Sequence, residues 1–291
     1  MKQLTGILLI AISAASFGTL AIFGRFLYAD GMDTFTMLFL RFGFAAIIMM
    51  VILLVRREKF PRGKILLQLI GMGALGYVGQ SFSYLSAIKY ASAGLVALLL
   101  YLYPMFVFVL SVFVLREKVT WLKVAALVLA LTGTALTLGP AGGQLTGILL
   151  ALCAALIYSV YIIVGTGVMK HVSAVQSSVV IFASAAAVYG ILMAVNGVYL
   201  PSTSSGWVNM AGIVLVATVI PVATFLAGLE RIGPTQAAML STLEPVVTVL
   251  LAAWIFGEKL GAIVMLGGGF ILIAVILLTR AEMTMIHEPA R

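Results

Sequence analysis

A motif near the start of this chain returns at a fixed distance. Leu4-Thr5-Gly6-Ile7-Leu8-Leu9 recurs as Leu145-Thr146-Gly147-Ile148-Leu149-Leu150, an offset of 141 residues. Far downstream the same offset carries Pro104 onto Pro245 and Glu117-Lys118 onto Glu258-Lys259. Leucines coincide easily in an apolar chain, but a proline and an acid–base pair do not. A register kept over more than a hundred residues requires a duplicated unit.

The solvent of that unit follows from composition. Of the 291 residues, 63% are apolar and only 9% charged, against roughly 25% charged in a soluble domain. Runs of about 20 apolar residues each suffice to cross a bilayer. They lie near 4–27, 34–55, 65–88, 92–115, 119–138, 145–168, 174–195, 207–229, 234–256 and 260–279. The expected fold is therefore an all-α polytopic membrane protein of ten transmembrane helices, five per repeat. The repeats occupy 1–140 and 141–281, and 282–291 form a tail. The first run follows Lys2 but is too long for a signal-peptide core, and its repeat mate at 145–168 marks it as a spanning helix. Cys153 is the only cysteine, so an intramolecular disulfide is excluded.

Charge gives the orientation. Lys2, Arg56, Arg57, Lys59, Arg62, Lys64, Arg116, Lys118, Lys123, Lys170, Arg231, Arg280 and Arg291 fall on one side of a ten-helix weave. Lys89, Lys259 and Arg25 fall on the other, beside Asp30, Asp33 and Glu258. The bias is that of cytoplasmic loops. It places both termini in the cytoplasm and accounts for the net charge of +8 without a nucleic-acid partner. Because five is odd, the second repeat enters from the opposite side, making the halves inverted repeats. In such proteins the site lies between the halves near the midplane. The longest connection, 196–206, reads as a polar outer turn around Pro201.

Enzymatic signatures are weak. Gly71-Met72-Gly73-Ala74-Leu75-Gly76 has nucleotide-loop spacing but sits inside an apolar helix with no strand before it. Close helix packing explains it better, as it explains Gly267-Gly268-Gly269. His171 and His287 lie near segment ends, and no cluster resembles a metal site or a catalytic triad. No cofactor is expected.

Polar groups within spanning helices are costly and mark function. Glu244 is the one acid near the middle of a span, and it directly precedes Pro245. That proline lacks a donor and crowds the preceding turn, predicting a kink and exposed carbonyls. Ser241, Glu244 and Thr248 are spaced to share one helix face. The functional reading is a substrate or proton site; the alternative is a structural carboxylate bonded to a neighbouring helix. The third span carries Tyr77, Gln80 and Tyr84, with Ser81 and Ser83 alongside. The fourth brings Tyr101 and Tyr103 to Pro104, and the sixth offers Tyr158 and Tyr161. Tyr103 is the repeat mate of Glu244. A cavity of phenols, amides and one carboxylate would suit a small amphipathic or zwitterionic solute, with Pro104 and Pro245 as hinges. Arg41 reads as structural, snorkelling or pairing with a carboxylate. Glu117 and Glu258 suit helix N-termini.

Leu100-Tyr101-Leu102-Tyr103-Pro104 leading to Leu115-Arg116-Glu117-Lys118, mirrored by Leu243-Glu244-Pro245 leading to Gly257-Glu258-Lys259, resembles the EamA family of the drug/metabolite transporter superfamily. The resemblance covers essentially the whole chain. It implies an inner-membrane exporter or permease for amino acids or other small metabolites. It also implies a central cavity lined mainly by spans one, three, four, six, eight and nine. The paired lysines of sugar-phosphate carriers are missing. Expected partners are a small-molecule metabolite and the lipid bilayer, with the chain acting as a monomer. Within transport the rival substrate class is lipophilic cations, and outside it a membrane scaffold or intramembrane enzyme.

Overall fold

The computed structural model describes residues 2–87, 90–91, 96, 99–117, 119–138, 144–257 and 261–287. Lys89, Lys118, Glu258, Lys259, Arg291 and the start of the expected fourth span lie outside them. The described chain is built of α-helices, as it must be where lipid offers the backbone no hydrogen bonds. We label them α1 (Lys2–Phe17), α2 (Leu20–Ala29), α3 (Thr34–Val55), α4 (Gly63–Gly71), α5 (Val78–Ala87), α6 (Tyr103–Val114), α7 (Trp121–Leu138), α8 (Leu145–Val168), α9 (Ala174–Asn196), α10 (Ser204–Val214), α11 (Ile220–Ile232), α12 (Pro234–Leu240), α13 (Leu243–Phe256) and α14 (Ala262–His287). Among the described residues seven helices are long and apolar enough to cross a membrane, with shorter apolar helices at Tyr103–Val114, Trp121–Leu136 and Met265–Leu277.

Local chemistry sets the helix ends. Asp33 opens α3 by accepting the N–H groups of Phe35 and Thr36 at 2.8 and 3.0 Å. Ser173 and Gln176 form a reciprocal capping box at the start of α9. Gly233, with φ +78°, is the sole link between α11 and α12; that left-handed conformation costs a glycine little.

Several spans are interrupted. The first breaks at residues 18–19, and turns at 101–102 and 241–242 precede α6 and α13. The last two breaks agree with the kink expected before each proline. Short π-helical stretches, Met72–Tyr77 and Leu215–Val219, join α4 to α5 and α10 to α11. The helices containing them read as continuous in the sequence, so these irregularities are new. All but the break at 18–19 recur at the repeat offset to within two residues.

Helix pairing respects the repeat as well. α3 packs on its mate α9, and α7 on its mate α14. The α1–α11 pairing has its counterpart in α8–α5, and α6–α8 has its counterpart in α13–α1. Small residues allow the close crossings. A methyl group added at Gly73 would lie 2.4 Å from the Ile181 carbonyl oxygen, and one at Gly133 would lie 2.6 Å from that of Gly267. The glycine-rich stretches are packing surfaces. Cys153 is exposed on the flank of α8.

The two ends of the bundle are tied differently. At one end the Asp30 carboxylate accepts the N–H groups of Ser202 (2.9 Å) and Thr203 (3.3 Å), and Tyr199 N–H reaches Thr36. At the other, Ser173 donates to Glu58, and the Gln176 amide donates to the Lys59 carbonyl at 2.6 Å. Nearby, Glu117 accepts from Thr235 and pairs with the buried Lys123 ammonium at 3.1 Å. Glu117 therefore links the end of α6 to the start of α12, a larger role than capping alone.

Candidate functional site

A cavity of about 650 Å³ opens among α2, α3, α5, α8 and α13. It runs from Glu244 towards Tyr28 and Thr34, at the end of the bundle that holds the Asp30 clip. Pockets of this size hold small organic ligands.

Most of the expected site residues meet here. Tyr77, Gln80 and Tyr84 line one wall; Tyr101, Tyr103, Tyr158 and Tyr161 line the next. Glu244, Pro245 and Thr248 face them from α13. Five of these phenols form a continuous chain of ring contacts. Tyr101 and Tyr103 have centroids 6.5 Å apart, Tyr103 and Tyr158 4.8 Å, Tyr158 and Tyr161 6.0 Å, and Tyr161 and Tyr77 5.9 Å. Edge and offset geometries at these separations are the favourable ones for aromatic pairs. Phe42 extends the chain, 5.1 Å from Tyr77.

One expected wall residue is not among those lining the cavity. Ser241 is buried with its hydroxyl on the Ala237 carbonyl at 2.8 Å. The shared-face argument assumed an unbroken helix, and the turn at 241–242 separates Ser241 from Glu244 and Thr248. Pro104, expected as a hinge, is buried in the first turn of α6.

Glu244 stands in the first turn of α13 with the Tyr101 hydroxyl beside it. Among the described residues no lysine or arginine nitrogen lies within 4 Å of its carboxylate. Thr248 donates to the Gly18 carbonyl at 3.0 Å, exactly where the first span is broken. Tyr103 donates to the Ala238 carbonyl at 3.3 Å, carrying a hydrogen bond from one repeat to the other.

The unexpected wall residue is Arg41, 5% exposed yet lining the cavity. Its Nε donates to the Thr218 hydroxyl and its Nη2 to the Ala217 carbonyl at 3.1 Å. Both acceptors belong to the second π-helical stretch, where helical bonding is rearranged. The guanidinium also lies 5.0 Å from the Phe42 ring centroid. No carboxylate pairs with it among the described residues. A charge deep in α3 was visible in the sequence, but its partners lie 176 and 177 residues away and carry no local signal. Span two is thus a lining helix, in addition to those implied by the family resemblance.

Two repeats packed in matching pairs around a cavity that holds a few charged and hydroxyl groups in a mainly apolar wall, in helices of membrane-spanning length, define a multi-pass membrane protein of the transporter class. The EamA-like transporter family matches the chain twice, at residues 4–139 and 145–280. The chain belongs to that family. It is 28% identical to an uncharacterized transporter of Archaeoglobus fulgidus, over 93% of this chain and 95% of the relative. It is 25% identical to the uncharacterized transporter YcbK of Bacillus subtilis, covering 91% and 89%. A crystal structure shares the fold with a TM-score of 0.83 at 21% identity, covering 97% of this chain and 99% of the other.

Proposed function

We propose that this protein is a secondary transporter of the cell inner membrane, moving small organic metabolites such as amino acids outward by alternating access. The observation that carries the reading is the cavity between the repeats, lined by phenols and by Arg41 and Glu244, neither of which has an ion-pair partner among the described residues. In this reading ten helices cross the membrane as two inverted five-helix repeats, with both termini cytoplasmic. The Asp30 end is then external. The cavity faces outward, and the links of Glu58 and Glu117 close the cytoplasmic end. Rocking of the repeats about the breaks before Pro104 and Pro245 would exchange the two arrangements.

One observation favours a second reading. The aromatic wall around Glu244 would also suit a lipophilic cation, as in a multidrug exporter. Arg41 on the same wall disfavours it, since it repels a cation. The test is uptake into proteoliposomes of radiolabelled amino acids and of cationic dyes, with and without a pH gradient. Movement of dyes alone would select the second reading, and movement of nothing would remove both. Sidedness has its own test. In a Cys153→Ser background, Arg57→Cys and Ser204→Cys should react with an impermeant thiol reagent from opposite faces. Labelling from one face would end the inverted-repeat reading.

A further inference from the structure

We propose that the cavity selects zwitterions, with the solute carboxylate at Arg41 and its ammonium group at Glu244 within the phenol cage, primary and N-methylated nitrogen both being accepted. The inference rests on the transport reading and specifies the ligand of the same cavity. Among the described residues three charged side chains line the wall. Arg25 is at the mouth, with its guanidinium 4.1 Å from the Phe256 ring centroid. Arg41 and Glu244 lie deeper, on different repeats, more than 4 Å apart but within each other's electrostatic field. Neither has an ion-pair partner among the described residues.

A solute entering this space displaces the water that solvates both charges. One carrying a single charge leaves the opposite wall group desolvated and unmatched, which is costly. A solute carrying both charges matches each, and the signs dictate its direction. Arg41 is already held by Thr218 and Ala217 and has the Tyr77 hydroxyl beside it, so its guanidinium is fixed in place and a carboxylate would share it with that hydroxyl.

The surroundings of Glu244 describe the other end. Tyr84, Tyr101, Tyr103 and Tyr158 all fall within its field. A primary ammonium wants three acceptors; a methylated one wants none and is held by ring faces. Carboxylate and phenol oxygens serve the first, and the rings serve the second. Apolar side chains at Phe17, Leu20, Met37, Leu38 and Ile213 complete the wall, and they suit an apolar side chain carried beside the two charged groups.

The test uses one side chain with each end altered in turn: L-leucine, leucine amide, N-acetylleucine and N,N,N-trimethylleucine. Binding to the purified full chain is read by calorimetry and by ligand-induced shifts in thermal unfolding. Leucine and its trimethyl form should bind, with the amide and the N-acetyl form weaker by about thirtyfold or more. Glu244→Gln should weaken leucine by a similar factor while leaving N-acetylleucine unchanged. Arg41→Gln should weaken leucine and leave the amide unchanged; if it does not fold, Arg41→Lys should retain leucine binding more weakly than wild type. An amide or N-acetyl form binding as well as leucine would overturn the proposal, as would tetraphenylphosphonium binding where none of the four does. Reconstituted protein that moves no solute, yet shows this binding pattern, would end the transport reading and leave the ligand class standing.

Discussion

The two repeats share a backbone and differ in what they hang on it. Both break one turn ahead of a proline, at 101–102 and 241–242, and both carry a π-helical stretch in the equivalent helix. At the break, however, the first repeat presents Tyr103 and the second Glu244. The position that holds Arg41 in α3 holds Phe182 in α9. The first repeat thus supplies the buried cation and the phenols of Tyr77, Tyr84, Tyr101 and Tyr103. The second supplies the carboxylate, with Tyr158 and Tyr161. The shared backbone suits a motion in which halves exchange roles, whereas ligand recognition depends on the unequal side chains.

The largest expected effect therefore lies at the least equivalent pair. Glu244→Gln should lower uptake by about thirtyfold or more, the low end of what losing one partner of a buried charge pair costs. Tyr103→Phe loses the 3.3 Å bond to the Ala238 carbonyl and the contact with the Ser241 hydroxyl but no charge, and should cost about 1 kcal/mol of stability and less uptake than Glu244→Gln. Uptake and thermal unfolding measured on both variants decide the matter. Equal losses would mean that the asymmetry is decorative.

The next contrast uses two glycines that are repeat mates. A methyl group at Gly147 would meet backbone, 3.0 Å from both Ala91 N and Tyr90 C, as well as Ala91 Cβ at 2.7 Å. At Gly6 it would meet side-chain atoms rather than backbone, Ile232 Cγ2 at 2.5 Å and Arg231 Cβ at 2.9 Å, with the nearest backbone atom at 3.6 Å. Gly147→Ala should cost about 1–3 kcal/mol, and Gly6→Ala less. The reverse order in thermal unfolding would show that α1 is held more rigidly than its mate α8.

A smaller effect is expected at the prolines. If both breaks serve the same motion, Pro104→Ala and Pro245→Ala should each slow turnover by roughly a few fold with little change in substrate affinity, since conformational steps often limit rate. Wild-type rates in both variants would reduce the prolines to packing residues.

How much of this was legible in the chain follows from where the information sits. The duplication and the apolar runs were plain, because lipid constrains every residue of a span and the offset compares positions directly. Tyr77, Gln80 and Tyr84 were found because helical spacing puts them on one face, and the π-helical stretch lies before most of that face. Ser241 was misplaced by the same rule, since the turn at 241–242 intervenes. Arg41 was taken for a structural residue, as its anchors at Ala217 and Thr218 can be identified only after folding. The π-helical stretches have no local sequence mark, and packing against neighbouring helices reveals them.

The smallest effect concerns the ties at the two ends of the bundle, which are also repeat mates. Asp30 falls at the offset on His171, beside the Ser173–Glu58 link that occupies the corresponding place in the second repeat. Asp30 stands outside the spans, and the Thr203 hydroxyl above all draws its carboxyl below the ordinary value; desolvation opposes this, and the Thr203 N–H and the Ser202 donors add to the lowering. A depressed carboxylate contributes stability above its unfolded value, near 3.9, and loses it only as pH falls through the folded one. The tie should accordingly hold unchanged from about pH 8 to pH 5. Protease digestion of the 197–203 segment should proceed at one rate across that range once corrected for the enzyme's own pH dependence. Asp30→Asn keeps one acceptor oxygen but loses the charge that draws in Ser202 and Thr203, and should be cut modestly faster at every pH. A rise in wild-type cleavage between pH 7 and pH 5 would show that another titrating group, rather than Asp30, holds this end of the second repeat to the first.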